Sequence, residues 1–266
     1  VEDLTGSHPL HREMRAAADL ARAEFLVAEG RHLDAEPLLR SALPVFSSHN
    51  DYRNLAAAHR QLGYCLERSG KYEESLAELN LAYEAVANTT DVGLRIDIVT
   101  DRAMLMREMG DTLAACELLN ETRSQLPNIT NQVSAFARMT AVLIYVLFER
   151  GDFAAASRVA QEAIADLDDQ SPPQARAQLL WNASLVAGNS GDPMGAVLMS
   201  EEALALMQLV GHQRSITRLR LNVAFLQTRL TPPDLDSALK QLRAAEQELG
   251  ETGPITDRAA QQSELA

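Results

Sequence analysis

The chain is poor in the residues that anchor sheets, staple small domains or cross membranes. Aromatic residues make up 5% of its 266 positions, which argues against a sandwich or barrel held by cross-strand rings. Only two cysteines are present, Cys65 and Cys116. They stand at unrelated positions inside apolar patterns, so no disulfide is expected and a reducing cytoplasm is the expected compartment. No apolar run reaches the length of a membrane span, and the opening Val-Glu-Asp-Leu-Thr-Gly has neither the charge nor the apolar stretch of a signal peptide. Basic residues are scarce too: 24 Lys and Arg stand against 37 Asp and Glu, a formal charge of −13. A surface of that sign repels phosphates, so direct nucleic acid contact is not expected.

Patterns that carry chemistry are missing as well. His8 and His11 are three apart with no carboxylate or cysteine to complete a metal site. His32, His49, His59 and His212 fall at turns or helix surfaces, without the Ser or Cys partner of a nucleophilic triad. Gly188, Gly191 and Gly195 are spaced for turns rather than for a strand-to-helix phosphate cradle. Asp166, Asp168 and Asp169 read as a solvated acidic helix end. The expectation is a binding protein with no cofactor, no metal and no catalytic residue.

What is present is a repeat. Gly30, Gly70, Gly110, Gly151 and Gly191 stand 40, 40, 41 and 40 residues apart, each between two amphipathic stretches. A fixed period of this length marks a helical solenoid. Between Arg53 and Asn88, Leu55, Ala58, Leu62, Tyr64 and Leu66 recur at helical spacing up to Gly70; Tyr72, Leu76, Leu79, Ala82 and Val86 then trace a second helix. The same reading gives hairpins over 12–47, 53–88, 93–126, 134–168, 174–210 and 214–250, plus a partial helix over 255–266. The sixth hairpin replaces the glycine turn by Leu-Thr-Pro-Pro-Asp-Leu-Asp, where Thr231 or Asp234 can cap and the prolines end the helix. With a first residue other than Met and an unfinished last pattern, the chain reads as a piece of a longer protein.

Small residues recur where two helices must approach. Ala35, Ser75, Ala115, Ala156, Ala196 and Ala238 hold one site, and Ala42, Ala82, Thr122, Ala163, Ala203 and Ala245 hold another seven residues on; Leu39, Leu79 and Leu119 lie between them. With the Leu62-Gly63 pair eight residues before a turn glycine, this pattern resembles the tetratricopeptide repeat over nearly the whole chain. The resemblance implies an all-α, right-handed superhelical solenoid whose first helices line a concave groove.

On those first helices the positions left after the packing sites form one stripe. It reads Arg138, Val142, Tyr145, Glu149 in unit four; Gln178, Asn182, Leu185, Asn189 in unit five; and Arg218, Asn222, Phe225, Arg229 in unit six. Unit three contributes the acidic set Asp97, Asp101, Met104, Glu108. Asn182 and Asn222 are 40 residues apart and so repeat-equivalent, and an amide can donate to and accept from a peptide backbone at once. Between Glu202 and Asp234 no acidic residue occurs, while Arg214, Arg218, Arg220 and Arg229 do; these guanidinium groups suit a carboxylate or phosphate, or else bridge to Glu201, Glu202 or Glu246. Trp181, the single tryptophan, fits either the core or the groove rim. The candidate ligand-binding residues are therefore Arg138, Tyr145, Gln178, Trp181, Asn182, Asn189, Arg218, Asn222, Phe225 and Arg229.

The stretches 177–192 and 218–236 also resemble the C-terminal sensor arrays of actinobacterial Cro/C1-type (Xre-family) helix-turn-helix transcriptional regulators. The resemblance implies the sensing part of such a regulator, taking a peptide, a protein segment or a small effector in its groove and, in a homodimer, repositioning the DNA-binding domains. No helix-turn-helix fits before Ala16, so DNA contact is expected to be lost or supplied elsewhere. Two other readings stand beside it: a scaffold joining two proteins, and an adaptor for a downstream enzyme domain.

Overall fold

The computed structural model describes residues 9–125, 132–167 and 171–252, and among them every regular element is an α-helix. There are twelve: α1 Pro9–Ala28, α2 His32–Ser48, α3 Tyr52–Arg68, α4 Tyr72–Val86, α5 Val92–Glu108, α6 Thr112–Gln125, α7 Val133–Glu149, α8 Phe153–Ala165, α9 Pro173–Asn189, α10 Pro193–Val210, α11 Gln213–Thr228 and α12 Leu235–Thr252. They pair in sequence order into six helical hairpins. The partial helix expected over 255–266 lies outside the described residues. The chain divides into two compact units, residues 1–128 with α1 to α6 and residues 129–266 with α7 to α12.

The recurring glycines end the first helices by one device. Gly30, Gly70, Gly110, Gly151 and Gly191 all have positive φ, between 73° and 89°, a region that an L side chain enters only at a cost. In each turn the next residue donates its N–H to the carbonyl five positions back, as in Lys71 N to Leu66 O at 2.9 Å and Asp111 N to Met106 O at 2.9 Å. The exposed carbonyls of the last helical turn are thereby satisfied, and the chain reverses at once into the second helix. At the sixth hairpin Asp234 takes over, its Oδ1 accepting from Ser237 N at 3.1 Å to open α12.

All the small sites are buried, Ala35, Ala115, Ala156, Ala196, Ala82, Ala203 and Ala245 completely. In unit 1 α4 packs tightly on α3 at Gly63. A Cβ there would stand 2.9 Å from Leu79 Cγ and 3.3 Å from the Ser75 carbonyl oxygen, and Ser75 Oγ donates to the Gly63 carbonyl at 2.7 Å. Buried Leu39, Leu79 and Leu119 fill the space between the paired helices, each contributing roughly 1.5–3 kcal/mol of transfer free energy. One cluster then joins α1 and α2 to Ala58, Leu62 and Cys65 of α3, so neighbouring hairpins share a core as stacked repeats require. Unit 2 repeats the scheme, with Ala177, Leu180, Leu204, Met207, Leu219 and Val223 forming one cluster across α9, α10 and α11.

Both cysteines belong to unit 1 and are free and buried. Burial pushes the Cys65 thiol up to about 11, with the Glu36 carboxylate adding to the effect. It behaves as a small apolar side chain rather than a nucleophile. No described helix is long and apolar enough to cross a membrane.

Candidate ligand groove

In unit 2 the first helices present a continuous lining. The core stripe of α11 is Ile216, Leu219, Val223 and Leu226, all buried. Each is preceded by a residue that lines a groove of about 1090 Å³: Ser215, Arg218, Asn222 and Phe225. On α9 the same offset holds, with buried Ala175, Leu179, Ala183 and Val186 preceded by Gln174, Gln178, Asn182 and Leu185 of the lining. A one-residue step rotates the side chain by about 100° around the helix. The hydrophobic register that seats each helix therefore also aims its polar stripe, and the turn glycines hold the two stripes in repeat-equivalent positions.

Seven of the ten predicted residues line this groove: Tyr145, Gln178, Trp181, Asn182, Arg218, Asn222 and Phe225. The other three lie outside the lining. Arg138 is half-buried on α7 and engaged with another group. Asn189 ends α9, exposed, and donates from Nδ2 to the Leu185 carbonyl at 2.9 Å. Arg229 stands just past α11 with its guanidinium 5.6 Å from the Phe225 ring centre. Sequence reasoning missed Met207 and Leu242, which reach the groove from the second helices α10 and α12; no stripe on a first helix points to them. Gln174 and Ser215 extend the predicted stripes by one turn and were legible in principle.

The amides are partly used. Asn182 Nδ2 donates to the Gln178 carbonyl at 3.0 Å, and Asn222 Nδ2 donates to Ser200 Oγ at 2.9 Å. Each keeps one N–H and its carbonyl oxygen for a ligand, and each is held in a fixed orientation by the bond it makes. Trp181 is both things at once: it packs on the core cluster of α9 to α11 and also lines the groove. Phe225 is 57% exposed, a large apolar ring facing water.

The arginines separate. Arg220, two positions from Arg218, turns to α12 and donates to Glu248 Oε1 at 2.8 Å and to Gln241 Oε1 at 3.0 Å. Its carboxylate partner is Glu248, not Glu201, Glu202 or Glu246. Glu202 pairs with Arg176 at 2.9 Å, and Glu201 accepts from Gln227 at 3.1 Å. Arg218 is exposed and makes no ion pair with any described residue. Among the described residues it is the only charged one in the lining, so the charge it brings there favours an anion.

The acidic stripe of unit 1 is largely occupied. Arg60 of α3 reaches across to α5, with Nε 2.5 Å from Asp101 and Nη1 3.4 Å from Asp97. Glu67, on the same helix, has its carboxyl pushed up from the usual range, first by burial and then by the carboxylates of Asp101 and Glu108, with Arg68 and Arg107 opposing. A raised carboxyl favours the protonated folded state, so its stabilising contribution is full below the ordinary glutamate range and is lost as pH rises through the raised value. Glu67→Gln should therefore raise the melting temperature at pH 7, and the gain over wild type should vanish below about pH 4; paired melts at the two pH values check both halves.

One constellation bears on the expectation that the histidines lack the Ser or Cys partner of a nucleophilic triad. Ser48 Oγ lies 3.0 Å from His49 Nδ1, and His49 Nε2 lies 3.1 Å from Glu13. The order is wrong for a nucleophile, because both Ser48 Oγ (2.9 Å) and His49 Nδ1 (2.8 Å) address the Val45 carbonyl. The group closes the end of α2. Among the described residues no three His, Cys, Asp or Glu side chains are placed to hold a metal ion.

Comparison with known proteins supports this architecture. Residues 14–88, which take in α2 to α4 and most of α1, match the tetratricopeptide repeat model. No curated protein sequence gives a significant match. Among solved structures, the apo form of the quorum sensor NprR from B. thuringiensis is similar with a TM-score of 0.67 at 10% identity, over 95% of this chain and 69% of that one. BtubC (BKLC) from P. vanneervenii gives 0.61 at 18% identity, over 77% and 84%. PilF of Pseudomonas aeruginosa gives 0.59 at 14%, over 94% and 98%. At these identities the likeness is one of fold. The chain is thus built on helical hairpins of tetratricopeptide type, with the repeat itself recognised over residues 14–88.

Proposed function

We propose that unit 2 is a sensing module that binds an extended peptide segment, or a small effector of the same chemistry, in the groove between α9 and α11, and that the module serves a transcriptional regulator. The observation that carries this reading is the lining itself: repeat-equivalent Asn182 and Asn222, the apolar walls of Trp181, Leu185 and Phe225, and a single uncompensated charge at Arg218. Asparagine amides spaced by one repeat suit successive peptide groups, the rings suit an apolar side chain, and the guanidinium suits a carboxylate. That NprR, a protein of similar fold, is a quorum sensor agrees with a sensing role, as does the resemblance of 177–192 and 218–236 to regulator sensor arrays. The occupant couples to output by favouring one arrangement of the hairpins it bridges.

The test is calorimetry with a pooled library of short synthetic peptides carrying free carboxyl termini, followed by the single peptides that bind. Asn182→Ala and Asn222→Ala together should weaken binding by about tenfold to a hundredfold, at roughly 1 kcal/mol or more per lost hydrogen bond. Melting temperatures of the two single variants separate this from folding, since only Asn222→Ala deprives a buried partner, Ser200. Unchanged affinity in the double variant would remove the groove model.

A further inference from the structure

The α4/α5 seam of unit 1 carries two guanidinium groups that no described residue pairs with. Counting back eight residues from the turn glycines, Arg102 occupies the site held by buried Leu62, Leu143 and Ala183 in three other hairpins and by exposed Arg22 in the first. Unlike the exposed Arg22, Arg102 is half-buried, so its guanidinium stands where three other hairpins bury an aliphatic side chain. Its Nε is buried without a hydrogen-bond partner, while its terminal nitrogens reach solvent. Arg95, seven residues earlier on the same face of α5, is also half-buried. Both guanidinium groups lie against one ring, that of Tyr83 on α4, at 4.9 Å for Arg102 and 6.0 Å for Arg95. In a chain of charge −13, neither makes an ion pair with a described residue, and the Tyr83 hydroxyl makes no hydrogen bond there either.

We infer that this seam is a binding site for a phosphate-class oxyanion, held by Arg95 and Arg102 with the Tyr83 hydroxyl as a third donor. Cation–π contact alone does not account for the arrangement, because a ring face stabilises a guanidinium without satisfying its N–H groups. Burial without a counter-ion also destabilises the charged form of Arg102, whose pKa is lowered by desolvation; an anion would reverse that penalty. A tetrahedral dianion offers acceptors to both forks and to the phenol, whereas a monocarboxylate has only two oxygens to share among them. The site lies within unit 1 and is independent of the groove reading.

The experiment is thermal unfolding of the full chain in rising inorganic phosphate against sodium chloride of equal ionic strength, with sodium acetate as a third arm. NMR of the arginine Nε–Hε resonances provides a second readout. Phosphate should raise the wild-type midpoint saturably and shift the Arg95 and Arg102 resonances together. Arg102→Leu, which installs the aliphatic side chain of three other hairpins, should keep or raise the basal midpoint and lose the saturable increment. Arg95→Gln should weaken the response about tenfold. An equal increment in wild type and Arg102→Leu, the absence of any saturable increment, or an acetate response matching that of phosphate would each overturn the proposal.

Discussion

Arg218→Glu is expected to weaken binding of a carboxylate-bearing peptide to the unit 2 groove by about 30-fold or more, the scale of losing a close charge pair across an interface. Among the described lining residues no other carries a charge, and the new carboxylate repels the ligand's own. Arg218→Lys should retain the attraction but lose the two-pronged contact, giving an intermediate loss. Arg220→Gln gives the contrast: two residues away, its guanidinium is tied to Glu248 and Gln241, so it should change stability and leave peptide affinity alone. Titrations of the three variants with one library-derived peptide separate these outcomes. Equal losses at 218 and 220 would mean that only the general positive field matters.

The second large effect is on folding. Leu79→Ala should cost unit 1 about 2–5 kcal/mol, because Leu79 is 1% exposed and packs against Gly63 between α3 and α4. Gly63→Ala should also destabilise, since the added Cβ would stand 2.9 Å from Leu79 Cγ, and overpacking of about 1–3 kcal/mol outweighs the roughly 1 kcal/mol gained from helix propensity. In the Leu79→Ala background the same Cβ enters the vacated space. The double variant should therefore be more stable than the sum of the single effects predicts, as measured by denaturant unfolding of all four proteins. Strict additivity would show that Gly63 and Leu79 do not share the space assigned to them.

Local signals carried most of the fold. A glycine at positive φ, a small residue at each close approach and a leucine between them leave their mark within one hairpin, and the period repeats that mark until it is unmistakable. The stripe on α9 and α11 was legible for the same reason: it is the core stripe displaced by one residue. What the sequence hid depends on partners far along the chain. Arg218 and Arg220 look alike in a run of unopposed arginines, yet Glu248, 28 residues on, claims only one of them. Met207 and Leu242 reach the groove from helices whose other residues face elsewhere, and no periodicity records how deeply a neighbouring helix projects. Arg102 shows the reverse case, in which a site that three other hairpins fill with a buried aliphatic side chain carries a half-buried cation.

The central claim is that the lining of α9 and α11 holds the ligand, and the chain contains its own reporter. Trp181 is the only tryptophan, packed on the core on one side and lining the groove on the other, so its emission reads the site without a label. Titration of the full chain with a calorimetrically selected peptide should shift or quench Trp181 emission saturably, with the same midpoint as the heat of binding, and Arg218→Glu should move both midpoints together. Binding that saturates by calorimetry while Trp181 emission stays unchanged would place the ligand elsewhere and contradict the account.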